Sequence, residues 1–350
     1  MVENKIQYYN GTKLLKKKDL ENNTPEIFVV VGNRGAGKSF YFKEMLLRNY
    51  LEKKEMFLDI VRYKYEVPDR VSAFYTDLME EKYADLEVES KKMISGNATA
   101  HIINGEIAGY TVALSSADTL RKYSSMFVHI MSMFFDEFQL EGMNYLPDEV
   151  NKIQSLHMSV ARGGGKQSRY VPVYMASNVV SVINPYFYSW GFTTRINKDT
   201  KFLRGIGVVL EQCYNESAAQ AAKQSAFNRA FQNSKYLEYA ASNVALADNY
   251  AFIENVNESD SWYMYTIVYD NKDFALWQNE RLGILFVNRK IDYKRRNILT
   301  FKGADHDINR LLLMRMEDVV ARWRLLFQQG CFRFADLECK QAFLDILAIR

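Results

Sequence analysis

The chain has 350 residues, 48% of them hydrophobic and 25% charged, with a formal net charge of +3 at pH 7. That balance is ordinary for a soluble globular protein and gives enough chain for two domains and a large core. No apolar run approaches the roughly 20 residues that span a bilayer. Three cysteines (Cys213, Cys331, Cys339) and four scattered histidines argue against a disulfide framework and a zinc site, and fit a reducing cytosol. Residues 1–5 lack the apolar core of a signal peptide.

In chain order, residues 26–31 are an apolar, β-branched run suited to a buried parallel strand. Gly32-Asn33-Arg34-Gly35-Ala36-Gly37-Lys38-Ser39 follows and fits G-x-x-x-x-G-K-[ST]. Residues 39–48, free of Gly and Pro, read as a helix. Strand, glycine loop and helix together aim backbone N–H groups at phosphates. Lys38 is the residue type that reaches β- and γ-phosphates, and Ser39 supplies a hydroxyl for Mg²⁺. Residues 56–61 predict a second strand, 101–110 a hairpin turning at Asn104-Gly105, and 126–135 a third core strand.

That third strand delivers Asp136 to the sheet edge, where it can hold the Mg²⁺ shell. Glu137, next to it, is placed to take a proton from an attacking water. No Asn-Lys-x-Asp for guanine selection occurs, which favours ATP over GTP. Residues 148–161 read as a helix, followed by the glycine loop 163–165 and a strand over 170–176. That strand runs into Ser177-Asn178, and Asn178 is a candidate to bond the lytic water. Residues 205–211 predict another strand. Arg62 and Lys64, after the second strand, are candidate contacts to DNA or to a neighbour's nucleotide.

Residues 216–244, rich in Ala, Gln, Asn and Ser, read as a helical connector. Beyond it, strands over 262–269 and 274–277 flank a turn at 270–273, another strand covers 283–288, and helices cover 305–329 and 336–349. This predicts a separate α+β domain. From 281 to 333 there are 12 Lys/Arg against 5 Asp/Glu, a local excess of +7. Arg289, Lys290, Lys294, Arg295 and Arg296 are its densest part and candidate backbone contacts to nucleic acid.

Several blocks resemble the DNA packaging ATPases of phi-twenty-nine-like tailed phages: the loop 32–39, Ile60-Val61-Arg62-Tyr63-Lys64, Phe135-Asp136-Glu137-Phe138, the string 144–150 (NYLPDEV) and the string 177–187 (SNVVSVINPYF). The resemblance covers residues 1–200 well and continues faintly to the C-terminus. It implies an ASCE-type P-loop ATPase domain (1–213), a small helical linker domain (214–245) and a C-terminal domain resembling a degenerate RNase H-like nuclease (246–350). It implies a homopentameric ring, docked through a packaging RNA on the portal vertex of the prohead in the host cytoplasm, with double-stranded DNA passing through. It also places a trans-acting arginine at Arg162, with Lys166 or Arg169 as alternatives. Unit-length packaging needs no cut, so the carboxylates Asp270, Asp273, Asp292, Asp305 and Asp307 are not expected to form a nuclease site. The alternatives are another ASCE-type translocase or helicase, a packaging ATPase with residual nuclease activity, or a nucleotide-gated binding protein.

Overall fold

The structure, a computed structural model, describes residues 8–140, 145–163, 167–193, 195–196, 200–230, 234, 251–295, 297–313 and 318–348. The chain divides into two compact units, Met1–Ala247 and Asp248–Arg350.

The first unit is built on nine strands: β1 (Ile27–Gly32), β2 (Met56–Val61), β3 (Val88–Met93), β4 (Ala98–Ile103), β5 (Glu106–Ala113), β6 (Ile130–Asp136), β7 (Val173–Asn178), β8 (Phe202–Arg204) and β9 (Val208–Cys213). They form one sheet in the order β3-β4-β5-β2-β6-β7-β1-β9-β8. From β5 to β9 every neighbouring pair is parallel, while β3, β4 and β8 pair antiparallel at the edges. β7 lies between the P-loop strand β1 and the acidic strand β6, the additional-strand arrangement of ASCE folds.

Both faces of the sheet are covered, which explains the continuous apolar runs. Val29 and Val31 of β1 join the core on one face, under the helices Glu149–Val160 and Pro185–Ser189. Phe28 and Val30 join the core on the other, under the helices Lys38–Lys53 and Val67–Glu81. The helix Lys38–Lys53 buries Phe42, Met45, Leu46 and Tyr50, the i, i+3, i+4, i+8 spacing of one helical stripe. The hairpin turn has the expected positive φ at both positions, 50° at Asn104 and 79° at Gly105. The expected strand from 126 begins later: Arg121–Phe127 is 3₁₀-helical and β6 starts at Ile130. Within the expected linker, Glu216–Gln224 and Ala226–Arg229 are helical; 231–233 and 235–245 lie outside the described residues.

The second unit has six strands: β10 (Ser261–Tyr269), β11 (Lys272–Asn279), β12 (Ile284–Asn288), β13 (Ile298–Thr300), β14 (Leu311–Leu312) and β15 (Phe332–Phe334), in the order β14-β13-β10-β11-β12-β15. An antiparallel meander β10–β11–β12 is extended by parallel strands on both sides, in keeping with the RNase H-like expectation. Trp323 and Phe343, from the helices Asp318–Gln328 and Leu337–Ala348, close its core. The helix expected over 305–329 is therefore shorter. Asp305 ends a 3₁₀ turn and Leu311–Leu312 pairs with β13, because each forms local or sheet hydrogen bonds that compete with a helix.

Candidate active site

Gly32 ends β1 level with Asn178 of β7 and Cys213 of β9. A Cβ on Gly32 would come 2.4 Å from the Cys213 carbonyl oxygen and Sγ, so the close approach of the strands requires glycine here. Gly35 and Gly37 turn the loop with φ of 74° and 86°, and Gly37 is the N-cap of the helix Lys38–Lys53. Asn33 is locked sideways: its amide donates to the Asn215 carbonyl at 2.9 Å and its oxygen accepts from the Asn215 N–H at 2.8 Å. Its side chain therefore braces the loop against Asn215. Arg34 lines the cleft in front of the loop, a space of about 570 Å³ that also takes in Lys38, Ser39, Asp136, Glu137 and Asn178.

Lys38 is buried. Its Nζ donates to the carbonyls of Gly32 (3.2 Å) and Asn33 (2.8 Å) and to Asn178 Oδ1 (3.2 Å). Burial holds its pKa below the usual lysine value, against the opposing pull of Cys213 and Asp136. The Ser39 hydroxyl donates to Asp136 Oδ1 at 2.7 Å. Sequence elements 97 residues apart thus meet: P-loop hydroxyl, acidic strand end and Asn178 share one cleft.

Glu137 is exposed and sits at φ 50°, uncommon for a residue with a side chain. Its N–H donates to Asp136 Oδ1 at 3.1 Å. The turn is held by Arg62, which donates to the carbonyls of Glu137 (3.3 Å) and Phe138 (2.7 Å) and pairs with Glu149 through two bonds, 2.9 and 3.0 Å. Tyr186 donates to the same carboxylate at 2.7 Å. Arg62 is only 4% exposed, so it is not a DNA contact; its charge belongs to the interior. Three blocks that carry the resemblance converge here, because Arg62, Glu149 and Tyr186 come one from each. Within the last, Asn184 caps the helix Pro185–Ser189 by accepting from the Phe187 N–H, and Pro185 occupies its first turn. Asn144 lies outside the described residues.

One site residue gave no signal in the sequence. Arg70 forks onto Asp59 at 2.8 and 3.1 Å and reaches Asp136 Oδ2 at 3.6 Å. Asp59 is a single carboxylate in an otherwise apolar strand, and only the sheet order brings that strand beside β6.

Arg162 is exposed, just past the helix Glu149–Val160, and its guanidinium makes no hydrogen bond or ion pair among the described residues. It does not line the cleft of its own chain. Arg169 is different. Its guanidinium donates to the carbonyls of Val160 (2.7 Å), Ile130 (3.2 Å) and Phe127 (3.5 Å), so it staples the interior and is not available to a neighbour. Lys166 lies outside the described residues. Lys64 is exposed and flanks a second cleft with Tyr63, Tyr65 and Lys92.

In the second unit, the expected basic surface is largely neutralised by carboxylates outside the counted window. Arg289, its side chain 39% exposed, pairs with Glu338 and Asp336 and lies over the Phe274 ring, so its charge is largely neutralised within the unit. Lys290 pairs with Glu258 at 2.9 Å. Lys294 and Arg295 are exposed, Arg295 beside Asp292 at 3.7 Å, and Arg296 lies outside the described residues. Three of the carboxylates are engaged locally. Asp305 caps the β10–β11 turn through the N–H groups of Asp270 and Asn271, Asp270 pairs with Lys302, and Asp307 pairs with Arg310. Among the described residues, no cluster of His, Cys, Asp or Glu could hold a metal ion, and no helix is long and apolar enough to cross a membrane.

The chain is 26% identical over 334 residues to the DNA packaging proteins of Bacillus phages PZA and phi29, covering 94% of this chain and 94% of each relative. Its fold matches the bacteriophage phi29 viral genome packaging motor assembly with a TM-score of 0.69 at 23% identity, over 98% of this chain and 99% of that one. The family model for the podovirus DNA encapsidation protein (Gp16) matches residues 3–348. With a P-loop, an acidic strand end and their connecting strand in one cleft, and a family match along nearly its whole length, the chain belongs to the podovirus DNA encapsidation (Gp16) family.

Proposed function

We infer that this chain is an ATPase that drives double-stranded DNA into a viral prohead, acting as a homo-oligomeric ring, a pentamer by resemblance, at the portal vertex in the host cytoplasm. The observation that carries the reading is the Ser39–Asp136 contact at 2.7 Å with Glu137 beside it, inside a P-loop cleft of an encapsidation-family chain.

The backbone N–H groups of residues 33–38 and the start of the helix Lys38–Lys53 receive the ATP triphosphate. Lys38, already among oxygen acceptors, exchanges them for β- and γ-phosphate oxygens. The Ser39 hydroxyl and the Asp136 carboxylate are hard oxygen donors at the loop's end, which fits Mg²⁺. When bound, that ion neutralises charge on the β- and γ-phosphates. Glu137 takes the proton of the attacking water, and Asn178, at the end of the neighbouring strand, orients that water. Arg162 serves the cleft of an adjacent subunit, which accounts for its exposure and for its absence from its own cleft. Packaging RNA and the portal are the partners the family relationship suggests, with Lys294 and Arg295 as exposed phosphate contacts and Lys64 facing DNA or the neighbour.

Replacing Glu137 by Gln tests the reading: nucleotide binding should persist while turnover falls by about 10²–10⁴. Unchanged turnover would remove Glu137 from the base role. Stimulation by duplex rather than single-stranded DNA separates packaging from unwinding, and stimulation by single strands alone would favour a helicase.

A further inference from the structure

We propose that Arg70 is a positioning residue for Asp136, held in place by the buried carboxylate of Asp59. Asp59 lies mid-strand in β2 and is 0% exposed, in a parallel sheet where an apolar side chain is the default. Phe57, two residues before it in β2, and Phe74, four residues after Arg70, belong to the apolar core on one face of the sheet. Arg70, in the first turns of the helix Val67–Glu81, closes a two-pronged bond on it at 2.8 and 3.1 Å.

The pair is fixed from behind. Thr111 donates to Asp59 at 3.2 Å, His101 lies 2.7 Å from the Thr111 hydroxyl, and Tyr75 lies 3.0 Å from the other ring nitrogen of His101. The guanidinium therefore has one available orientation, and that orientation points NH2 at Asp136 Oδ2, 3.6 Å away. The two oxygens of Asp136 are divided between tasks: Oδ1 accepts from Ser39 and from the Glu137 N–H, while Oδ2 faces Arg70. Lys43, buried on the P-loop helix with its Nζ 3.3 Å from the Ala73 carbonyl, adds a second cation near the two carboxylates.

A buried ion pair is weak evidence for stability, because apolar side chains of similar volume often do as well. A pair kept in such a place calls for a task that apolar groups cannot perform, and the reach from Asp59 through Arg70 to Asp136 supplies one. Outer partners that orient a metal-holding carboxylate are worth about 10–100-fold in metal affinity.

The inference rests on Asp136 holding the metal, so the test measures both. Mn²⁺ is titrated by electron paramagnetic resonance into the full chain with a non-hydrolysable ATP analogue, and analogue affinity is measured separately without metal. Asp59→Asn combined with Arg70→Gln removes the pair without stranding a charge and should weaken Mn²⁺ about tenfold while metal-free analogue binding is unchanged. Arg70→Lys, which keeps the charge and loses the fork, should fall between, and it serves alone if the double variant does not fold. Unchanged or tighter Mn²⁺ binding in these variants, with Asp136→Asn still weakening it, overturns the role of Arg70. Unchanged Mn²⁺ binding in Asp136→Asn overturns the reading of the site itself and this inference with it.

Discussion

The guanidinium of Arg62 and the carboxylate of Glu149 form a buried ion pair, 4% and 0% exposed, that closes over the turn carrying Glu137. Burial opposes the charge on Arg62, but its bonds to Glu149 outweigh it and hold the guanidinium ionised. Arg62→Ala should leave Glu149 unpaired and cost about 3–5 kcal/mol in urea denaturation. Replacing both partners by apolar residues should cost much less stability and still depress turnover, because the carbonyls of Glu137 and Phe138 lose their clamp. A DNA affinity whose salt dependence fell with Arg62, at unchanged stability, would return the residue to a nucleic-acid role.

His101 predicts a pH dependence of stability. Burial pushes its pKa down to about 4; Asp59 pulls the other way and Arg70 adds to the drop. Between about 6.5 and about 4 the unfolded chain binds a proton that the folded chain excludes, so this residue's stabilisation is complete above the window and lost as pH falls through it. The loss is on the order of 3 kcal/mol. His101→Gln should reduce the difference in urea midpoint between pH 7 and pH 4.5, and an unaltered difference would show that His101 titrates normally in the fold.

Arg162 predicts behaviour in mixtures. A neighbour-supplied arginine is worth about 10³–10⁵ in rate, so rings doped with Arg162→Ala should lose ATPase activity faster than the mutant fraction rises. A loss merely proportional to that fraction would count against action across an interface.

The second unit predicts a division of labour among its basic residues. Lys294→Ala and Arg295→Ala should each lower the salt slope of RNA binding by about 1 without changing thermal stability. Arg289→Ala should lower the melting temperature instead, since Glu338, 4% exposed, loses the guanidinium that pairs with it. Equal slopes for all three variants would mean that the pairs around Arg289 open on binding.

The parts legible in the sequence were those whose chemistry is local. Gly32 to Ser39 announces itself because a phosphate loop needs its residues in one run, and the apolar residues before Asp136 announce a strand end. The helix Val67–Glu81 went unread although its stripe of Val71, Phe74, Tyr75 and Leu78 is regular, and with it went Arg70. Arg62 was read as surface because a strand-end arginine usually is, and its partner lies 87 residues away. The charge excess after Arg281 misled for a related reason: Glu254, Glu258, Asp336 and Glu338 neutralise it from outside the window in which it was counted. The turn at Asp305 broke an expected helix because a carboxylate that can accept two backbone N–H groups competes with helical hydrogen bonds.

With the base role proposed for Glu137, its backbone places activity and stability in opposition at a single position. At φ 50° glycine would be the more comfortable residue, and holding a side-chain-bearing residue there costs about 1 kcal/mol or more. If Glu137 is the base proposed above, selection for a sturdier protein would drift toward glycine at 137 and arrive at a chain that folds better, binds nucleotide and no longer turns it over. A motor that keeps glutamate there carries a permanent handicap in folding for the sake of its chemistry, and the Arg62–Glu149 clamp next to it is where the rest of the molecule makes that handicap tolerable.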